Sequence, residues 1–282
     1  MARSGLVLDV RDEGPLDGPI AVLLHGFPQH SAAWDEVAPR LHRLGLRTLA
    51  PDQRGYSPGA RPTRRRDYRM AELVDDVAAV VAASRTGGGV DRGVHLVGHD
   101  WGAAVAWATA QSRPDLVRSL VSVSIPHPRA FVTAALTSSQ AWHSWYMGAF
   151  QLPGLAERAL DPAHPSGRRR LVRMLVDTGL DPARAERDAD FLSTPGAFTA
   201  ALGWYRALPL QRPGEGGGSV RVPTALLWSD ADVAITRAGV DRTPRYVDAP
   251  FRLDVLPGVG HWIPELAPVA VADAVAHVVA QA

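Results

Sequence analysis

Apolar residues fall into two rhythms along this chain. The continuous apolar run at 20–24 has the pattern of a strand buried on both faces of a parallel sheet, and strands are also expected at 48–50, 94–97 and 117–124. Between them, apolar positions recur at helical spacing. Trp34, Val37, Ala38, Leu41 and Leu44 form one such stretch, 70–83 another, and an alanine-rich run begins at Gly102. A weak alternation at 6–10 predicts a leading strand. Strands and helices in this order predict an α/β fold with a mostly parallel, doubly wound sheet, whose ligands bind at the strands' C-terminal ends.

The rhythm changes after His127-Pro128. From 131 to 209 there is no buried-strand pattern, only helical segments over 131–150, 168–178, 182–192 and 196–208. The Gly-rich stretch 213–219 reads as a flexible hinge. Strand character returns at 224–228 and 251–256, and a helix is expected over 268–279. The expected organisation is a core in two parts, residues 1–128 and 220–282, with a helical lid and hinge inserted at 129–219.

Composition narrows the class. A chain of 282 residues suits one large domain with an insertion better than two domains with linkers. A net charge of +1 gives no reason to expect a nucleic-acid partner. All 30 basic side chains other than histidine are arginine, which fits a compositional bias and not an arginine-specific function. The absence of cysteine excludes disulfides, thiolate metal sites and a cysteine nucleophile. No apolar run is long enough to span a bilayer and no leader pattern is evident, so a cytoplasmic protein with no membrane partner is expected.

The chemistry concentrates at Gly98-His99-Asp100-Trp101-Gly102, where a strand pattern reverses into a helix pattern. Glycine two places before and two places after a polar residue is the spacing of a nucleophile elbow, a turn so tight that neighbouring Cβ atoms would clash. An aspartate at its apex is ionised at neutral pH and can attack carbon without a base, becoming an ester. The plainer alternative is that Asp100 only caps the following helix. An alkyl ester needs a water-activating base, and His261 in Gly260-His261-Trp262 follows the last expected strand. Asp230 and Asp232, after the preceding strand, both offer a carboxylate to orient it. Ester hydrolysis also needs two oxyanion donors, for which the backbone N–H groups of Phe27 and Trp101 are placed. His25 is expected to brace its loop. No metal site and no cofactor are expected.

Four motifs, His25-Gly26-Phe27-Pro28, Asp52-Gln53-Arg54-Gly55-Tyr56-Ser57, the Asp100 elbow and Gly260-His261-Trp262, together resemble the epoxide hydrolase branch of the α/β-hydrolase superfamily. The resemblance runs over nearly the whole chain. It implies an α/β-hydrolase fold with a cap, a catalytic triad of Asp100, His261 and Asp232, and hydrolysis of a small apolar epoxide by water. It also implies two lid tyrosines that protonate the epoxide oxygen. Ser144-Trp145-Tyr146 resembles the stretch carrying the first, and Gly203-Trp204-Tyr205-Arg206 the stretch carrying the second. Ser229 and Gly203 stand where the family usually has Gly and Asn. Trp142, Phe150, Trp204 and Trp262 are the expected lining of an apolar pocket. Haloalkane dehalogenases share the elbow and the His-Gly-x-Pro motif, and a ligand-binding protein on the same scaffold is a third alternative. The oligomeric state, a homodimer included, stays open, and the short leading segment predicts a sheet of seven strands.

Overall fold

The computed structural model describes residues 1–84, 93–211 and 218–282. The expected hinge at 213–219 therefore lies largely outside the described residues. The strands are β1 (Ala2–Arg3), β2 (Leu6–Val7), β3 (Val10–Glu13), β4 (Ile20–Leu24), β5 (Arg47–Pro51), β6 (Val94–His99), β7 (Val117–Val123), β8 (Thr224–Ser229) and β9 (Phe251–Leu256). Seven of them form one sheet in the order β3-β5-β4-β6-β7-β8-β9. Only β3 is antiparallel to its neighbour; every other pair is parallel.

The leading strand expected at 6–10 is divided. Ser4 and Gly5 both have positive φ, 51° and 80°, and fold β1 back on β2 as a separate two-stranded hairpin. The backbone N–H of Asp9 is then taken by Ser57 Oγ at 2.9 Å, and β3 begins one residue later.

The helices of the first core segment are α1 (Ala38–Arg43), α2 (Met70–Ser84) and α3 (Trp101–Ser112). Those that follow β7 are α4 (Pro128–Thr137), α5 (Gln140–His143), α6 (Trp145–Ala149), α7 (Leu155–Leu160), α8 (Pro165–Asp177), α9 (Pro182–Leu192), α10 (Ala197–Ala201) and α11 (Gly203–Arg206). The last are α12 (Arg237–Val240), α13 (Ile263–Leu266) and α14 (Pro268–Val279).

Three helical expectations are corrected, the 196–208 segment being α10 and α11 divided at Leu202. The 34–44 helix is a 3-10 turn at Ser31–Trp34 followed by α1, because Pro39 has no N–H to donate into a continuous helix and sits at the start of a new one. The 131–150 helix is three helices, α4, α5 and α6. Ser138 is extended (φ −147°, ψ −171°), and its Oγ accepts from the Gln140 N–H at 3.2 Å, so a side chain replaces a helical carbonyl.

Alternate side chains of β4 pack on opposite faces of the sheet. Ala21 and Leu23 join Trp34, Leu41, Val271 and Val275 under α1 and α14, while Val22 and Leu24 join Val77, Val80 and Val105 under α2 and α3. Each large side chain so buried contributes roughly 1.5–3 kcal/mol. The chain leaves β4 toward β5 on one side and returns to β6 on the other. This opens a crevice at the C-terminal ends of β4 and β6, the switch point where doubly wound sheets bind ligands.

Candidate active site

Asp100 stands between β6 and α3 with φ 50° and ψ −123°, a backbone conformation that side-chain-bearing residues seldom adopt. Close packing enforces it. A Cβ on Gly98 would lie 2.4 Å from the Gly102 carbonyl oxygen, and one on Gly102 would lie 2.0 Å from that of Leu24. Gly26 is needed for the same reason, since a Cβ there would lie 2.3 Å from that of Asp100. The Asp100 carboxylate makes no cap bond to its own helix. Instead Oδ1 accepts the Phe27 N–H at 2.9 Å, while Oδ2 faces His261 Nε2 at 3.8 Å. Burial raises the Asp100 carboxyl above its ordinary value, opposed by His261 and by the N–H groups of Trp101 and Phe27.

His261 follows β9, and its Nδ1 lies 2.9 Å from Asp232 Oδ2. Oδ1 of Asp232 accepts the Ala234 and Ile235 N–H groups at 2.8 and 3.0 Å, so the carboxylate is fixed at both oxygens. Of the two aspartates left open, Asp230 instead accepts the Gly258 N–H at 2.8 Å. Ser229 joins the two loops, because its Oγ accepts the Gly260 N–H at 2.9 Å. Burial would lower the His261 imidazole, but the charge and hydrogen bond of Asp232, with Asp100 beyond, raise it to about 9. His25 is buried and spans its loop, with Nε2 accepting the Gln53 N–H at 3.1 Å.

Tyr146 on α6 and Tyr205 on α11 meet above Asp100, their ring centroids 6.2 Å apart and their planes at 72°. Burial is the largest cause pushing both phenols up from their ordinary value, with the Asp100 charge acting in the same direction. Asp100 and both tyrosines border two cavities, of about 660 and 310 Å³. Phe27, Phe150, Met174, Leu175 and Trp262 line the larger, and Trp101, Ile125, Phe131 and Met147 the smaller.

Two expected lining residues lie elsewhere. Trp142, on the four-residue α5, is 80% exposed and borders neither cavity. Trp204 is buried behind the site: its Nε1–H donates to the Arg54 carbonyl at 2.7 Å, and its ring meets Tyr56 and Trp101 edge to face. Gly203 is explained by the same packing, since a Cβ there would lie 2.8 Å from the Tyr68 ring. Sequence reasoning missed the α8 side chains Met174 and Leu175, and Thr178, whose Oγ1 accepts the Trp262 Nε1–H at 3.2 Å. It also missed His99 and Ser124, which both lie against the His261 carbonyl oxygen, at 3.0 and 3.1 Å. For His99, its position beside the elbow aspartate was a usable signal.

An elbow carboxylate, a histidine–aspartate pair from the last two strands and a sheet with this switch point define a class of hydrolase. The model of the alpha/beta hydrolase fold family matches residues 19–268. Epoxide hydrolase 3 of Xenopus tropicalis is 34% identical over 270 residues, covering 93% of this chain and 72% of that protein. Epoxide hydrolase A of Mycobacterium tuberculosis is 31% identical over 303 residues, covering 94% and 91%. The structure of potato (Solanum tuberosum) epoxide hydrolase I superposes with a TM-score of 0.82 at 25% identity, covering 100% of this chain and 98% of that one. The chain belongs to the α/β-hydrolase fold family and, within it, to the epoxide hydrolase branch. Among the described residues, no helix is long and apolar enough to cross a membrane.

Proposed function

We propose that this protein hydrolyses small apolar epoxides to vicinal diols through an alkyl ester on Asp100. One observation carries the proposal: Asp100 is tethered by Oδ1 to the Phe27 N–H, leaving Oδ2 for the cavities that the buried Tyr205 and the half-buried Tyr146 also border. Oδ2 attacks an epoxide carbon and the ring C–O bond breaks. The departing oxygen takes a proton from Tyr146 or Tyr205, which burial keeps in the protonated form. A dehalogenase would have no use for such acids, because a halide leaves without a proton.

In the second step His261 takes a proton from water, and the hydroxide formed adds to the ester carbonyl. The oxyanion develops on the oxygen held by the N–H groups of Phe27 and Trp101; collapse breaks the ester C–O bond, and the carboxyl proton passes to the leaving alkoxide, which releases the diol and restores the carboxylate. A histidine at about 9 is cationic at neutral pH and is no base, but esterification removes the Asp100 charge, one of the causes of that elevation. Formation of the ester thus lowers the His261 pKa just when a base is needed, and the imidazolium proton goes to the tyrosinate that ring opening leaves. Carboxylate, imidazole and phenols supply nucleophile, base and acid, so the reaction as proposed needs no cofactor. The lid is residues 129–219 over a core of 1–128 and 220–282, and the setting is cytoplasmic.

The test is diol formation from a panel of aryl and aliphatic epoxides, beside halide release from haloalkanes. Asp100→Asn is expected to abolish diol formation, and His261→Gln to accumulate a covalent adduct heavier by one epoxide in intact-protein mass spectra. Halide release that survives in a Tyr146→Phe/Tyr205→Phe double variant would move the chain to the dehalogenases.

A further inference from the structure

Behind the His261 loop lies a buried polar chain that the proposed mechanism does not use. Gln29 Nε2 stands 2.8 Å from Glu265 Oε2, and Gln29 Oε1 stands 3.0 Å from His99 Nδ1. His99 Nε2 in turn lies 3.0 Å from the His261 carbonyl oxygen. Gln29 and His99 are fully buried and Glu265 is 6% exposed. Every link must join a donor to an acceptor, and this fixes the direction of the chain. The His261 carbonyl only accepts, so His99 carries its proton on Nε2. A neutral His99 then accepts on Nδ1, which requires the Gln29 amide to be turned over, exchanging its oxygen and nitrogen so that the NH2 end faces His99. The Gln29 oxygen is left facing Glu265, and only a protonated carboxyl can donate to it.

The alternative polarity needs an imidazolium at His99. Its ring centroid is 4.9 Å from that of His261, and burial, with His261 itself, pushes it well below the ordinary histidine value. The charges around Glu265 agree. Arg187 on α9 lies 2.7 Å from Glu265 Oε1 and 2.7 Å from Asp188 Oδ1, so one guanidinium serves two buried carboxyls. Arg184 donates to the Glu265 backbone carbonyl, and its more distant charge favours the ionised form of both carboxyls. A proton on Asp188 would be poorly placed: Oδ2 has no hydrogen-bond partner, and His30 Nε2 is 3.7 Å from Oδ1. On Glu265 it has the Gln29 oxygen to bond.

We propose that Glu265 is held as a neutral carboxylic acid at the head of a hydrogen-bond chain through Gln29 and His99, and that this chain positions His261. Glu265, Gln29 and His99 are positioning residues: they act through the His261 backbone and touch no reacting atom. The inference rests on the proposed epoxide hydrolase reading for its kinetic consequence but not for its structural one.

The first measurement needs no substrate. In the full-length protein labelled with 15N-histidine, His99, assigned by loss of its signals in His99→Asn, is expected to be neutral at about pH 7 with Nε2 protonated and Nδ1 bare. Protonation of both nitrogens, or of Nδ1 alone, overturns the chain. The second is single-turnover ester hydrolysis. Glu265→Gln keeps a donor to Gln29 and an acceptor for Arg187, and is expected to stay within about twofold of wild type, whereas Glu265→Leu slows the step roughly tenfold at near-constant KM. Equal losses in both variants, or none in Glu265→Leu, overturn the positioning role. If Glu265→Leu does not fold, the His99 tautomer and the Glu265→Gln rate still decide. A wild type that turns over no epoxide defeats the functional reading, while the tautomer still settles the chain.

Discussion

Tyr146 and Tyr205 show how neighbours set the duty of a side chain. Either ring alone would pass for packing, since Tyr205 meets Phe27, Phe150 and Trp101 edge to face. What distinguishes the pair is that both border the cavities above one carboxylate. The Asp100 charge and burial disfavour the phenolate, so each hydroxyl remains a proton donor through neutral pH. General acid catalysis of this kind contributes ~10²–10⁴-fold. Replacing one tyrosine by phenylalanine is therefore expected to lower kcat by about tenfold, with the partner sharing the duty. The double replacement should lower it by about 10³-fold. Rapid-mixing measurement of the alkylation step checks this, and a double variant no slower than either single one would deny the shared role.

Among the elements, the elbow is the most tightly specified and was the easiest to find in the sequence. Its glycines are dictated by backbone contact, and such a requirement is local enough to leave a fixed spacing behind. Gly102→Ala would drive a Cβ to 2.0 Å from the Leu24 oxygen and is expected to destabilise the fold by about 3 kcal/mol or more. Gly148→Ala, in α6, meets nothing within 4 Å and should gain ~0.5–1 kcal/mol from helix propensity. Urea unfolding of both variants reads the contrast. Strand β4 was legible because burial on both faces leaves an uninterrupted apolar run. The starts of helices α9 and α14 were legible because proline stands at the first helical position of each. The break at Ser138 was not legible, since a serine inside a helical pattern reveals its competing hydrogen bond only in three dimensions. Nor was the cavity lining. Trp142, Trp145 and Trp204 have the same apolar character in sequence, and the packing of short helices alone decides which borders the larger cavity, and only Trp145 does.

For the molecule as a whole, the site's electrostatics meet those of the core in the dependence of stability on pH. His30, His95 and His127 are lowered to about 4, and His25 and His99 are also lowered, each chiefly by burial. A histidine lowered on folding binds its proton more readily in the unfolded chain, so stability is lost as pH falls from 6.5 toward 4. Three carboxyls raised by burial, Asp100, Asp188 and Glu265, pull the other way over part of this range, but five histidines outweigh them. His261 has the opposite sign. Raised to about 9 by Asp232 and Asp100 against its own burial, it contributes stability that is full below 6.5 and lost as pH climbs through 9. Stability is therefore expected to peak near neutrality, with the alkaline slope between 6.5 and 9 belonging to one catalytic side chain, the raised tyrosines acting only above 10, and the acid slope belonging to the structural histidines. Calorimetric Tm values across pH for wild type and His261→Gln separate the two. The variant should flatten the alkaline limb and leave the acid limb in place, and an alkaline limb that persists unchanged would mean that the His261–Asp232 pair is not charged at rest.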